Sequence, residues 1–477
     1  MPSSPPTTST SFSLLLIILC FACVSFPRAA TPTRDRGEAS SLQATSTSMD
    51  TTERETLFQL LEAVSSDRDW RVTNPDPCSP GSSWPGIECS AGKDGIPHVA
   101  RLDFGTPLNP TCNDAATFPP QLFHLPYLQS AFFFACFRTK TTTLAAAAPY
   151  MANATALQQL GLKSNPALTG TIPPEISSMR SLEVLTLSQN HLQGAIPEAI
   201  SSLTSLEHLD LSYNHLTGSI PIRVGSLRNL LGLDLSYNQL TGPIPTSLGH
   251  MGALQKLDLS SNALTGGIPE SMENLGSLSF LALSNNKLRG PFPGGLPKMG
   301  NLQYFLMDDN PMAVELPQQL GRLARLQELR LADSGYWGPI PDSFSRLANL
   351  TTLALQNNRL SGGIPTGLGG LRRMYHLNLS RNMLGGVVPF DQGFLRRLGG
   401  NLDLSGNPGL CMNRSEGLEG VKVGVGVCDD HHHHDGDGNS NREASVGRSH
   451  GVSSVPVSLH GLLVGFLGTW GFCSSLF

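Results

Sequence analysis

At 477 residues the chain exceeds the usual length of one domain, yet 39% hydrophobic and 14% charged residues suit a single packed body, and 49 glycines and 35 prolines set turns at short intervals. A net charge of -5, with no Lys/Arg cluster, excludes the basic face that phosphate backbones require, so no nucleic-acid partner is expected. The first element is the apolar run at 12–26, FSLLLIILCFACVSF, too short to span a membrane comfortably and placed as the core of a signal peptide. Residues 1–30 are read as that signal, although Arg28 interrupts the small-residue pattern before Ala30 and leaves cleavage after Ser25 as an alternative.

Residues 31–52 read as a disordered linker, and 53–97 as a cap over one end of the body. Leu57, Leu60, Leu61 and Val64 fall at helical spacing, and Trp70, Cys78, Trp84 and Cys89 follow. Of nine cysteines, Cys20 and Cys23 lie in the signal and Cys473 near the C-terminus, leaving six for the mature body. In an oxidising compartment six cysteines read as a disulfide set with 15 formal pairings. Neighbourhood in sequence favours Cys78 with Cys89, Cys112 with Cys136 and Cys411 with Cys428, with buried free thiols as the alternative.

Residues 98–156 carry degenerate repeats, with Phe104 and Phe133 on strand-like patterns and Cys136 at a turn. From 157 to 407 the repeat is regular. Asn165, Asn190, Asn214, Asn238, Asn262, Asn286, Asn310, Asn358, Asn382 and Asn407 recur at steps of 24 or 25 residues, Ser334 filling the one gap. A typical copy, LEHLDLSYNHLTGSIP from Leu206, fits L-x-x-L-x-L-x-x-N-x-L-x-G-x-I-P, the pattern of plant-type leucine-rich repeats. L-x-L is period-two strand patterning, so Leu209 and Leu211 point inward while His208, Asp210 and Ser212 point outward. The asparagine turns the chain, its amide satisfying backbone groups that a tight coil strands. One repeat buries too little apolar surface to offset the ordering of its backbone, so the copies must stack. The fold expected is an α/β solenoid, a right-handed leucine-rich-repeat superhelix with parallel strands on its concave face and disulfide-closed caps.

NPGLC at 407–411 opens a C-terminal cap running through 408–428; a polar linker at 429–454 and a hydrophobic tail at 455–477 follow. The linker tract DDHHHHDGDGN offers metal-ligand chemistry but sits in a polar, Gly/Ser-rich context that reads as a solvated spacer. Its Asp435, Asp437 and Asn439 open like a calcium loop, but Ser440 and Val446 stand where glycine and glutamate are needed. A polar spacer before an apolar terminus fits a removed lipid-anchor signal with Ser445 as attachment site; a weak transmembrane helix is the alternative. Only 49 residues follow Cys428, too few for a kinase, and Gly424-x-Gly426 lacks the setting of a phosphate loop. No catalytic group, cofactor or metal is expected.

Binding should lie on outward strand positions. The candidates are His208, Asp210, Asp234, Asp258, Asp308, Asp309, Arg330 and Asp333, with the aromatics Tyr213, Tyr237, Phe280 and Tyr304, joined by Tyr375, projecting from one face. The aspartates of the LDLS form are equally consistent with a structural role. The seventh and eighth repeats break pattern at Val314 and Ser334 and concentrate Tyr336 and Trp337 beside Asp308 and Arg330. Asn153, Asn349, Asn378 and Asn413 are N-glycosylation acceptors, of which Asn378 would set a glycan on the concave face.

The cap motifs, the repeat class and the stretches LPYLQSAFFFACF, LSNNKLRGPFP, LQYFLMDDNPM and VVPFDQGFLRRLGGNLDLSGNPGLC resemble plant leucine-rich-repeat receptor-like proteins that lack a kinase. That resemblance implies a receptor or co-receptor on the extracellular face of the cell membrane. It would bind a secreted peptide or protein ligand and signal only through a leucine-rich-repeat receptor kinase as co-receptor. A secreted inhibitor of cell-wall hydrolases, of the polygalacturonase-inhibitor type, shares the repeat and the caps; the apolar tail favours the anchored reading.

Overall fold

The computed structural model describes residues 48–65, 68–79, 84–413 and 423–428. The signal peptide, most of the N-terminal linker, the polar linker with its histidine tract, Ser445 and the apolar tail lie outside the described residues. Among the described residues no helix is long and apolar enough to cross a membrane.

Helix α1 (Thr51–Val64) begins where Asp50 accepts hydrogen bonds from the amides of Thr52 and Glu53 at 2.9 and 3.0 Å. It buries Leu57, Leu60, Leu61 and Val64, the stripe that the spacing predicts. The short helix α2 (Trp70–Thr73) sets Trp70 against Trp84, ring centroids 5.4 Å apart. Cys78 is bonded to Cys89, and Cys112 to Cys136.

One long sheet runs through the molecule. Strand β1 (Ile87–Ala91) pairs antiparallel with β2 (Pro97–Phe104), and every later pairing in that sheet is parallel. The series continues through β3 (Ser130–Phe134), β4 (Gln159–Lys163), β5 (Val184–Thr186), β6 (His208–Asp210), β7 (Gly232–Asp234), β8 (Lys256–Asp258) and β9 (Phe280–Ala282). It ends with β10 (Tyr304–Leu306), β11 (Glu328–Arg330), β12 (Thr352–Ala354), β13 (His376–Asn378) and β14 (Leu402–Asp403). Leu209, Leu233, Leu257 and Leu281 are in register and fully or almost fully buried, so each outward position repeats directly beside its equivalent on the next strand. The helical part of each repeat is a short 3₁₀ turn on the opposite side, such as Glu198–Ser202 and Thr246–His250; α-helix is confined to the ends. At the C-terminal end α3 (Gln392–Leu398), capped by Asp391, covers the last repeats, and Cys411 is bonded to Cys428.

The asparagine ladder is hydrogen-bonded on both sides. Asn262 donates from Nδ2 to the carbonyls of Leu235 and Leu259 at 3.0 and 3.2 Å, and its Oδ1 accepts from the Leu240 amide at 3.0 Å. Asn165 takes the amides of Cys136 and Phe137 in the same way, which carries the ladder into the degenerate repeats. Ser334 spans its own turn and the preceding one with a single hydroxyl, which also lies 3.4 Å from the Met307 carbonyl. Its Oγ accepts from the Asn310 amide at 3.2 Å and donates to the Ala332 carbonyl at 2.7 Å.

The same repeats interrupt the outer side. Short outer strands form one sheet ending at His215–Thr217 and a second from Thr241–Pro243 to Lys287–Leu288, and resume in a third at Trp337–Pro339 after a repeat without an outer strand. Between them Pro311 has no N–H to donate, and Val314 replaces the glycine whose left-handed backbone starts the outer turn elsewhere. Ala313, at φ 49, adopts that conformation instead, one residue early.

Candidate functional site

The outward side chains of the long sheet form rows that run across the strands. The first row reads His208, Gly232, Lys256, Phe280, Tyr304 and Glu328; the second reads Asp210, Asp234, Asp258, Ala282, Leu306 and Arg330. A third row lies at the turn beyond the strands and contains Tyr213, Tyr237, Asp309 and Asp333, all with φ between 52 and 58.

Three neighbouring aspartates dominate β6 to β8. Each gives Oδ1 to the serine two residues ahead: Asp210 accepts from the Ser212 amide and hydroxyl at 3.0 and 2.6 Å, and Asp234 and Asp258 repeat this with Ser236 and Ser260. That half of each carboxylate holds the turn. Oδ2 of Asp234 accepts from Lys256 Nζ at 2.8 Å. Burial and the neighbouring Asp234 push the Asp258 carboxyl above the usual carboxylate range. Burial alone would lower Lys256, but the attraction of Asp234 outweighs it and holds the ammonium charged. Burial lowers His208, whose ring leans over Gly232 where a β-carbon would meet Nδ1 at 2.9 Å.

Tyr213 and Tyr237 stack at 4.2 Å with planes 9° apart, each about half exposed. Toward the C-terminal side the second row turns apolar at Ala282 and Leu306 and then charged at Arg330. Arg330 Nε donates to Asp308 Oδ2 at 2.8 Å, and Glu328 lies 3.9 Å from its guanidinium. Asp308 Oδ1 also accepts from the Ala332 amide at 2.7 Å. Burial raises Asp308 and Glu328 in spite of the arginine. Among the described residues no group of three or more His, Cys, Asp or Glu could hold a metal ion.

A family model described as "Leucine rich repeat" matches residues 155–216, 223–264 and 321–384. Those stretches are leucine-rich repeats. The chain is 56% identical to Receptor like protein 29 of Arabidopsis thaliana over 145 residues, 30% of this chain and 31% of that protein. It is 37% identical to Protein TOO MANY MOUTHS of the same organism over 137 residues, 28% of this chain and 26% of that protein. The matched stretches therefore span less than a third of either relative. Among solved structures, the crystal structure of PEPR1-AtPEP1 aligns at a TM-score of 0.62 with 32% identity, covering 76% of this chain and 51% of that one.

Within the leucine-rich-repeat frame the five aromatics expected on one face stand in different rows. Phe280 and Tyr304 stand at the first outward strand position, Tyr213 and Tyr237 at the turn, and Tyr375 one residue before its strand β13. Tyr304 is only 7% exposed, packed beside Phe280 with its hydroxyl donating to Gln327 at 3.3 Å. The seventh and eighth repeats also divide. Asp308, Asp309, Arg330 and Asp333 lie on the sheet side, but Tyr336 is in the core, 0% exposed, because it takes the inward leucine position after the turn. Trp337 falls on the outer strand, where its Nε1 donates to the Ala313 carbonyl at 3.2 Å.

The sequence reading passed over Lys256, Glu328 and the apolar pair Ala282 and Leu306, each unremarkable in its own repeat. Comparing one position down successive repeats would have found them. It also missed Phe132, outward on β3 beneath the Arg101 guanidinium at 4.8 Å, with its ring seated over Gly161. Of the glycosylation acceptors, Asn153 and Asn413 are exposed and Asn349 donates to the Ala324 carbonyl. Asn378 is half-buried in the second row, its Oδ1 accepting from Ser380.

Proposed function

We propose that this chain is an extracellular receptor-like protein that binds a secreted peptide or a partner receptor on the face of its long sheet. The observation that carries the reading is the stacked Tyr213 and Tyr237 beside Asp210, Asp234 and Asp258. Two large rings held half-exposed next to uncompensated charge are the side chains that dominate protein interfaces. The similarity to Receptor like protein 29 and to the PEPR1-AtPEP1 structure supports a receptor-like, non-catalytic role. Signalling then runs through a leucine-rich-repeat receptor kinase as companion, with the chain attached to the membrane by a lipid anchor near Ser445. Glycans at Asn153, Asn349, Asn378 and Asn413 would limit where a partner docks, and Asn378 would direct it toward the earlier repeats.

The test is cross-linking capture of partners by the tagged full-length chain in plant cells, with Tyr213→Ala/Tyr237→Ala as the altered protein. Loss of a captured receptor or peptide is expected. Retention of every partner would overturn the placement of the site. Phospholipase treatment should release the chain from the membrane; retention would sink the lipid anchor, and recovery of free protein from the medium would favour the hydrolase-inhibitor alternative.

A further inference from the structure

Resting on the reading that the sheet face binds a peptide, we infer its chemistry: a polyproline-II segment carrying a cationic side chain and an apolar side chain three positions apart. The face is divided along its length. On β6 to β8 the second row is Asp210, Asp234 and Asp258, and the one cation among them, Lys256, is committed to Asp234. His208 beside them is shifted toward its neutral form by burial and so adds little positive charge. Asp258 is pushed toward its neutral form too, but with Lys256 committed to Asp234 the Asp210 carboxylate still leaves this part of the face negative. A neutral partner covering it would strip water from charges it cannot pair, whereas an arginine or lysine compensates them and lies within reach of the stacked tyrosines.

On β9 and β10 the same row changes character. Ala282 and Leu306 stand where the flanking strands place Asp258 and Arg330, bordered by the rings of Phe280 and Tyr304. No side chain at those two positions offers a hydrogen bond, so a polar ligand group there would lose water without replacement. From β8 to β10 is two strand spacings, roughly 9.6 Å, and a polyproline-II chain advances about 3.1 Å per residue and returns a side chain to the same face every three residues. A cationic group above Asp258 thus places an apolar group above Leu306 three residues away. Beyond it the Arg330, Asp308 and Glu328 group is satisfied within itself and carries one surplus negative charge, which disfavours an acidic ligand residue.

The experiment measures fluorescence polarisation of labelled synthetic decapeptides on the purified full chain. The peptides carry Arg and Phe three apart in a Gly/Ser background, in both orders. Controls replace Arg with Glu, replace Phe with Ser, or set the two side by side. The spaced Arg and Phe peptide should bind about tenfold or more tightly than each control, as a charge-assisted bond or a buried ring warrants. Asp210→Asn/Asp258→Asn should abolish the preference for Arg and leave that for Phe; Leu306→Ser should do the reverse. The asparagine variants should fold, because Asn378 already makes the same contact to Ser380 in this row. Equal binding of the Glu peptide, an arginine preference that survives the double variant, or no binding by any peptide would overturn the inference. If the tyrosine-dependent capture of native partners persists while these peptides fail, the receptor reading stands without this ligand chemistry; if that capture is insensitive to the tyrosines, the receptor site itself is wrong.

Discussion

Nδ1 of His98 lies 2.6 Å from Oε2 of Glu53, and both side chains are buried where α1 meets β2. The other carboxylate oxygen accepts the Val99 amide at 2.9 Å, Asp94 approaches Nε2 at 3.1 Å, and Tyr127 stacks on the ring at 3.6 Å. Burial opposes the charged imidazole, but the hydrogen bonds and charges of Glu53 and Asp94 outweigh it, so the pKa of His98 is raised above 6.5. A group raised on folding contributes stability that is fully present below its unfolded value, about 6.5, and lost as pH climbs through the folded value. The N-terminal cap should therefore be more stable at pH 5.5 than at pH 8.5. Hydrogen exchange along β2 read at both pH values checks this, and His98→Gln should flatten the difference. An undiminished pH dependence in that variant would place its source elsewhere.

Asn262 hydrogen-bonds four backbone groups, and for one of them, the Leu240 amide, it is the partner across the turn. Asn262→Ala would strand the Leu240 amide in a part-buried turn, while the Leu235 and Leu259 carbonyls keep the Asn238 and Asn286 amides as donors. For that one stranded group a loss of about 1–3 kcal/mol is expected in chemical denaturation. Asn262→Asp keeps the acceptor for Leu240 and should cost less at a pH where the carboxyl is protonated and can donate.

The repeat, the ladder and the inward leucines were legible because each is written identically many times, and periodicity is a local signal. Tyr336 was legible too but grouped with the surface chemistry of its repeat; it occupies the inward position after the turn, as the alignment of Ser334 with the asparagines implies. The pairing of Lys256 with Asp234, or of His98 with Glu53, is a relation between positions 22 or 45 residues apart that no single repeat contains. Only the outer-strand break at Ala313 required the coordinates themselves, since alanine gives no sign of a left-handed backbone.

Cys136 stands where later repeats have asparagine, and its amide still donates to Asn165 at 2.8 Å. Replacing both members of its disulfide should therefore spare the ladder and remove chiefly the cross-link. The bond joins residues 24 apart in sequence, which in the chain-entropy account stabilises by about 3 kcal/mol. Cys112→Ala/Cys136→Ala should lower the denaturation midpoint accordingly while leaving the strand content by circular dichroism unchanged. Loss of that content would mean that the bond is needed to form the first repeats.

Tyr213 and Tyr237 hold left-handed backbone, φ 53 and 52, at a turn position that elsewhere carries Ser164, Gln189, Ser261, Asn285, Asp309, Asp333, Asn357 and Arg381. Asparagine and aspartate tolerate that conformation and a bulky ring does not, so the two tyrosines occupy a place for which the turn itself has no use. Exchanging each for asparagine relieves backbone strain of about 1 kcal/mol and forfeits a ring stack worth about 0.5–1.5 kcal/mol. The two effects nearly cancel. Tyr213→Asn/Tyr237→Asn should thus unfold within about 1 kcal/mol of the unaltered chain, the scale of those two terms, while partner capture falls at least tenfold, the loss expected of a truncated interface anchor. Thermal denaturation alongside quantitative capture separates the outcomes: a stability loss of several kcal/mol would make the stack a structural element, and unchanged capture would remove the pair from the binding face.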